Sequence, residues 1–493
     1  MIQLPCKVKP VQQTAFIAML LASLVVGSVL RGSAATGNVP HGKPNIVFIL
    51  FDDMGYGEPP CYRAKSEFKT PNLDQFARDG MRFTDAHAAA SVCTPTRYGI
   101  LTGRYPSRIA QYGVLTTFSP PIIEQRRLTI ASFLKQQGYH AACIGKWHLG
   151  MTWPKSGAKN KSDSMPVGTR ATDGPITRGF DYFCGYTHAR NIGMIIEQDK
   201  VVANIEPVEV QPLLARKAIA YIDQRAKADR PFFLYLPLAI PHTPIVPAAE
   251  FQGKSGAQAY GDWLYQGDWV VGQVLAVLKR NHLAENTLVM VSSDNGAAKR
   301  VYAPLRGCKT SIYEGGHREP FVACWPGKIK PGSTCNDTVC LNDLMATCAD
   351  LLGVKLPDGA AEDSVSILPD LLGTATGPVR EATVHQAPNG DIAIRQGPWK
   401  LIFLKNGGRE LYDLVADLSE TKDLAGTHAD VVKRLTRLMR SYIANGRSTP
   451  GLAQKNAAEI SIDGKSGKSG KGRGKARKAK KKEVALALDP LFD

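Results

Sequence analysis

The stretch PNIVFILFDD, residues 44–53, runs through six apolar residues and stops on two adjacent carboxylates. A continuous, partly β-branched apolar run of this length reads as a strand covered on both faces, as parallel sheets require. Three further runs have the same form. His140–Ile144 ends in Gly145-Lys146-Trp147-His148, and Phe232–Ile240 ends in Pro241-His242. Thr287–Val291 runs into Ser293-Asp294-Asn295-Gly296. Helical patterns lie between them, at 71–80 with Gly80 as a stop, at 128–137 and at 269–279. Strand alternating with helix predicts an α/β fold, a large domain with a mostly parallel central sheet flanked by helices. After about residue 375 the texture changes. Ile392–Ile394, Trp399–Phe403 and Glu410–Tyr412 read as short strands, with Asn406-Gly407 as a hairpin turn. Val431, Leu435, Leu438 and Tyr442 then recur at helical spacing, which predicts a small C-terminal α+β domain with an antiparallel sheet.

The chain has 493 residues, 44% hydrophobic and 21% charged, which suits a globular enzyme and excludes a disordered or fibrous chain. Lys7 and Lys9, an apolar run from Ala15 to Leu30 and the small residues Ser33-Ala34-Ala35 have the layout of a secretory signal peptide over residues 1–35. A single membrane anchor is the other reading of that run. The remaining expected divisions are a catalytic α/β domain over 36–378, the α+β subdomain over 379–448 and a basic low-complexity tail over 449–493. Residues 464–482 hold ten Lys or Arg and no acid, and without them the formal net charge of +17 falls to +7. Such a segment cannot build a core, and its charge suits contact with polyanions. No aromatic-interleaved or zinc-type reading module accompanies it, so specific nucleic-acid binding is not expected. Ten cysteines show no zinc spacing. Cys335 and Cys340 are near enough in sequence to pair, while Cys143 and Cys324 lie in apolar runs and read as core thiols.

Every strand named in the large domain ends on polar or ionisable residues, at the sheet edge where α/β folds bind ligands. Asp52, Asp53, Asp294 and Asn295 are hard oxygen donors on two such ends. Clustered carboxylates repel unless a cation joins them, and an all-oxygen set suits Ca2+ or Mg2+ better than zinc. Lys146, His148, His242 and Lys309 add positive or proton-donating groups. Together they describe a metal-assisted site for a tetrahedral oxyanion. The stretch SVCTPTRYGILTGR, residues 91–104, adds a cysteine in a short polar turn, beside Pro95 and Arg97. A structural cysteine prefers an apolar core or a disulfide, so Cys93 reads as presented for chemistry.

These pieces resemble the formylglycine-dependent, arylsulfatase-like sulfatases of the alkaline-phosphatase-like superfamily. Cys93-Thr94-Pro95-Thr96-Arg97 with Leu101-Thr102-Gly103-Arg104 resembles their signature, with Thr96 where serine is common. Asp52-Asp53, Gly145-Lys146-Trp147-His148, Pro241-His242-Thr243-Pro244, Asp294-Asn295-Gly296, Gly307-Cys308-Lys309 and Glu314-Gly315-Gly316 match other blocks, and Arg395–Leu401 with Glu410–Leu414 the C-terminal one. The resemblance implies that a formylglycine-generating enzyme oxidises Cys93 to an aldehyde, which joins Asp52, Asp53, Asp294 and Asn295 around the metal. It implies that Arg97 holds the modified residue, that Lys146 and Lys309 bind sulfate, that His148 is a base, and that His242, with Lys309, protonates the leaving oxygen. The substrate implied is a sulfated small molecule or carbohydrate. A phosphodiesterase or phosphonate hydrolase of the same superfamily is a second reading, and a glycan-binding protein with unmodified Cys93 a third. The polar loop 151–178, with Lys155, Lys159, Lys161 and Arg170, reads either as a wall of the substrate pocket or as a solvated insertion.

Overall fold

In the computed structural model, described over residues 42–154 and 164–464, the 44–53 run is the centre of the molecule. Strand β1 (Asn45–Asp52) is buried along its whole length. It pairs in parallel on one side with β7 (Phe232–Pro241), Ile46 opposite Phe233, and on the other with β8 (Thr287–Ser293), Ile46 opposite Leu288. The other strands of this sheet are β2 (Met81–His87), β3 (His140–Lys146), β4 (Tyr182–Tyr186), β5 (Met194–Glu197), β6 (Lys200–Asn204), β9 (Arg318–Cys324), β10 (Ser333–Cys335) and β11 (Val339–Cys340). Their order is β10-β2-β9-β8-β1-β7-β3-β4-β5-β6, with β11 also on β2.

Side chains of β1 alternate between two cores, which is why the whole run is apolar. Ile46, Phe48 and Leu50 face one core, built with α2 (Cys93–Thr102) and α3 (Ile130–Gln136). Val47, Ile49 and Phe51 face the other, with α1 (Pro71–Asp79), α4 (Pro207–Arg225) and α5 (Gln258–Arg280). The sheet is therefore covered by helices on both faces, and it is mostly parallel. Antiparallel pairing enters where β9 sits between β2 and β8, and along β4-β5-β6.

Three local readings differ from the structure. The pattern at 269–279 is only the second half of α5. Its first half carries Gly261, Asp262, Gly267 and Asp268, which hide the periodicity, yet all four are buried. Cys93 is not in a polar turn but is the first residue of α2, in a helix buried at every position. Cys335 and Cys340 do not pair, and all nine described cysteines are free thiols. They sit on β10 and β11, each bound to a different part of β2. Cys143 and Cys324 are buried, and burial raises both thiols, Cys324 to about 11.

A second sheet is antiparallel, in the order β12 (Thr383–Gln386), β13 (Ile392–Gln396), β14 (Trp399–Phe403), β15 (Arg409–Asp413). The turn after β14 contains Asn406-Gly407, and Gly407 takes φ 96°, a conformation that favours glycine. The helix Ala429–Asn445 lays Val431, Leu435, Met439 and Tyr442 on this sheet; Met439, not Leu438, takes the buried position. Residues 449–464, read from the sequence as the start of the tail, return to this core with Ile460 and Ile462 buried in it. Two spaced apolar residues among polar ones give no periodic signal, so only the contact reveals them. Both sheets lie in one compact unit from Gly42 onward. They meet beside Cys93: the Gln386 amide donates to the Ala89 carbonyl at 3.0 Å and the Ser91 amide to the Gln386 carbonyl at 3.0 Å. No helix among the described residues is long and apolar enough to cross a membrane. The signal-peptide segment, Lys155, Lys159, Lys161 and the basic run after Gly464 lie outside the described residues.

Candidate active site

The carboxyl ends of β1, β3, β7 and β8 bring Asp52, Lys146, His242 and Asp294 to one edge, and α2 adds Cys93 and Arg97. Asp53 turns out of β1 with φ 71°, and its amide donates to Asp294 Oδ1 at 3.2 Å. That turn aims the two adjacent carboxylates differently. Asp52 Oδ2 accepts from Lys146 Nζ at 2.6 Å. Asp53 Oδ1 accepts from Asn295 Nδ2 at 2.7 Å, and its Oδ2 accepts from Lys309 Nζ at 2.7 Å. Arg97 donates from Nε (2.9 Å) and Nη2 (2.7 Å) to Asp294 Oδ2, and from Nη1 to the Lys146 carbonyl at 3.0 Å. Its described bonds therefore go to the acidic cluster and to β3, and none goes to Cys93.

The cluster sets buried carboxylates against buried cations. Burial opposes charge on Asp52, but Lys146, His242, Arg97 and Lys309 outweigh it and hold the carboxyl well below the usual range. Burial pushes Asp294 up despite Arg97, with Asp52 adding to the rise. Burial thus works against ionisation of Asp294 while its neighbours keep Asp52 charged. Asp52 Oδ1 and Asn295 Oδ1 are buried oxygens without a hydrogen-bond partner. Donor atoms of Asp52, Cys93 and Asp294 lie within 4.8 Å of one another, as do those of Asp52, Asp53 and His242. Orphaned oxygens among hard donors are what a Ca2+ or Mg2+ shell would satisfy.

Around this cluster the other predicted residues converge. Burial raises the Cys93 thiol, with Lys146 and Lys309 pulling the other way. His148 also has positive φ, 53°. It donates from Nε2 to the Leu115 carbonyl at 3.0 Å, which leaves the Nδ1 lone pair buried and unpartnered. Burial, then Lys146 and His188, hold this imidazole well below its ordinary pKa, so it is neutral, with Nδ1 free to accept a proton. His242 donates from Nδ1 to the Thr243 carbonyl at 2.6 Å and turns Nε2 to within 3.8 Å of Asp53 Oδ2. Burial and Lys309 lower its pKa, while Asp52 and Asp53 oppose them. Burial opposes the charge of Lys309, and Asp53 more than restores it.

Residues 44–354 match the family model described as Sulfatase. The chain belongs to the sulfatase family. It is 31% identical to an N-acetylgalactosamine-6-O-sulfatase of Bacteroides thetaiotaomicron, over 81% of this chain and 93% of that protein. Human arylsulfatase A is 33% identical over 82% of this chain and 88% of its own. A solved structure concerned with the metabolism of multiple glycosaminoglycans by Bacteroides thetaiotaomicron superposes with a TM-score of 0.74, at 30% identity, over 81% of this chain and 99% of its own. The protein is a sulfuric ester hydrolase.

The site also contains residues to which the sequence alone assigns no role. Thr94 donates from Oγ1 to the His148 carbonyl at 3.2 Å and accepts from the Leu115 amide at 3.1 Å, which ties α2 to the His148 loop. His188 packs edge-on to His148, with centroids 4.7 Å apart. It follows the end of β4, a strand whose run Tyr182-Phe183-Cys184-Gly185-Tyr186 is too short and mixed to read with certainty from sequence. The cavity over Asp53, His242 and Lys309 is walled by Tyr260 and residues 298–300. The described part of loop 151–178 does not line it. Its Arg170 pairs instead with Asp199 at 2.6 Å.

Proposed function

We propose that this sulfatase hydrolyses a sulfate ester of a sulfated carbohydrate, with Cys93 converted to formylglycine and Ca2+ or Mg2+ held by Asp52, Asp53, Asp294, Asn295 and the modified Cys93. The observation that supports this best is the position of Cys93. It opens α2 within 4.8 Å of donor atoms of Asp52 and Asp294, in the field of Lys146 and Lys309, which attract an oxyanion. The named N-acetylgalactosamine-6-O-sulfatase relative favours a sugar as substrate.

The hydrated aldehyde supplies two hydroxyls on one carbon, one to attack sulfur and one to expel sulfate as the aldehyde re-forms. A bound divalent cation would acidify the attacking hydroxyl and draw charge from the sulfate oxygens. The chain's own residues then divide the remaining work. Lys146 and Lys309, held at the site by Asp52 and Asp53, neutralise sulfate oxygens with their remaining N–H donors. His148, neutral with a bare Nδ1, takes the proton from the second hydroxyl. Lys309, kept protonated by Asp53, hands a proton to the leaving oxygen, and His242 turns Nε2 to the same corner, where it shares in that transfer when its ring carries a second proton. Arg97 acts on the aldehyde indirectly, by fixing Asp294 and β3 against α2.

Expression with a formylglycine-generating enzyme should yield an aldehyde at Cys93, seen by peptide mass spectrometry, and multiple turnovers of sulfate release. Chelation should abolish release, and Ca2+ or Mg2+ should restore it. Cys93→Ala should fold, bind the metal through the remaining oxygens and release no sulfate. Repeated turnover by Cys93→Ala, or full activity in a chelated sample, would refute the assignment.

A further inference from the structure

The cavity above Asp53, His242 and Lys309 has a volume of about 400 Å3. A substrate that directs its sulfate to that floor presents its remainder to the wall made by Tyr260, Lys299 and Arg300. We infer that Arg300 determines specificity by receiving a second anionic group of the substrate, a carboxylate or a further sulfate on the same or the adjoining sugar. This rests on the sulfate-ester reading above and adds to it what else the substrate must carry.

Arg300 is built for such a role. Its guanidinium carbon lies 3.5 Å from the centroid of the Tyr260 ring, so the cation sits directly over the face of the phenol. Contact with a ring face leaves N–H donors of a guanidinium for a planar or tetrahedral oxyanion. Among the described residues, no carboxylate lies within ion-pair distance of Arg300. The platform beneath it is fixed. Tyr260 donates its hydroxyl to Glu58 Oε1 at 2.6 Å, Tyr302 donates to the same oxygen at 2.9 Å, and the Gly55 amide donates to Oε2 at 3.1 Å. Glu58 is fully buried. A Cβ at Gly55 or Gly57 would stand 2.9 or 2.7 Å from atoms of Tyr302, so both glycines are needed for the ring to close on Glu58. A cation held on a pre-ordered ring loses little freedom on binding and gains more from a bidentate anion. A neutral sugar would leave those donors unmatched.

The test compares three probes on the mature, formylglycine-bearing full chain. They are N-acetylgalactosamine 6-sulfate, the 4,6-disulfate of the same sugar, and a uronic-acid disaccharide of the 6-sulfate. The wild type should favour at least one dianionic probe over the monosulfate by tenfold or more in kcat/KM, and which one identifies the second group as sulfate or carboxylate. Arg300→Ala should cut kcat/KM on that probe at least tenfold, with the loss in KM, and on the monosulfate less than threefold. Arg300→Lys should recover part of the loss. Calorimetry with the non-hydrolysing Cys93→Ala form separates recognition from chemistry. Arg300-dependent binding of a dianionic probe without turnover by the mature enzyme would count against the hydrolytic reading alone. Equal losses on all probes, or binding indifferent to Arg300, would overturn the inference.

Discussion

Glu58 is a carboxyl without a compensating cation at hydrogen-bond distance, held by two phenols and one amide. Burial raises its pKa from 4.5 to about 7, and the three hydrogen bonds only partly oppose the rise. The sign follows from linkage. Below about pH 4.5 both folded and unfolded chains are protonated at this position. As pH rises toward 7 the unfolded chain ionises first, so stability falls across that window and levels above it. The shift corresponds to an effect on the order of 3 kcal/mol. Glu58→Gln cannot ionise, and the acceptor it loses at Gly55 adds a cost that does not vary with pH. Urea denaturation of both proteins between pH 4.5 and 8 should show the wild type losing stability relative to the variant as pH rises. A constant difference across that range would mean that Glu58 stays charged in the fold.

At the scale of elements, the acidic cluster depends on how closely the ends of β1 and β8 approach the Glu314-Gly315-Gly316 turn. Gly296 follows Asn295 directly, and its amide donates to the Gly316 carbonyl at 3.1 Å. A Cβ there would lie 1.9 Å from the Gly315 carbonyl oxygen, which is backbone and cannot swing aside. Gly296→Ala should therefore push Asp294 and Asn295 off position. Overpacking of this kind costs about 1–3 kcal/mol. The Ca2+ or Mg2+ concentration for half-maximal sulfate release should rise at least tenfold, while mass spectrometry still finds Cys93 converted. An unchanged metal requirement would show that the turn yields without moving the ligands.

For the whole molecule, the small sheet acts as a clamp on the large one. Lys400 of β14, fully buried, donates to Glu314 Oε1 at 3.0 Å and lies 2.8 Å from Glu420 Oε1. Glu314 opens the same turn that packs on Gly296, so the second sheet braces the metal corner from behind. The basic run after Gly464 has a separate task in our reading, adhesion to polyanions. Deleting residues 465–482 removes all ten of its cations. Turnover of a small aryl sulfate should be unaffected, while retention on a heparin-type matrix should fall. The difference should shrink as salt screens the charge. A large loss of small-substrate turnover would place this segment at the site.

Much of this was legible in one dimension. The 44–53 run determined a buried parallel strand, because only a strand covered on both faces has no use for polar alternation. The polar ends of four such strands determined where the site lies, since strand ends on one sheet edge are brought together by the sheet itself. The motif residues Asp52, Asp53, Cys93, Lys146, His242, Asp294 and Lys309 could be named before any coordinate. Tertiary structure decided the rest. It made Cys93 the start of a helix, set Arg97 against Asp294, and left His148 with one bare nitrogen. It also set Arg300 on Tyr260, 40 residues apart and without any shared pattern. Periodicity reports which face of an element is buried. It does not report which side chain of another element meets that face, because that depends on packing among segments distant in the chain.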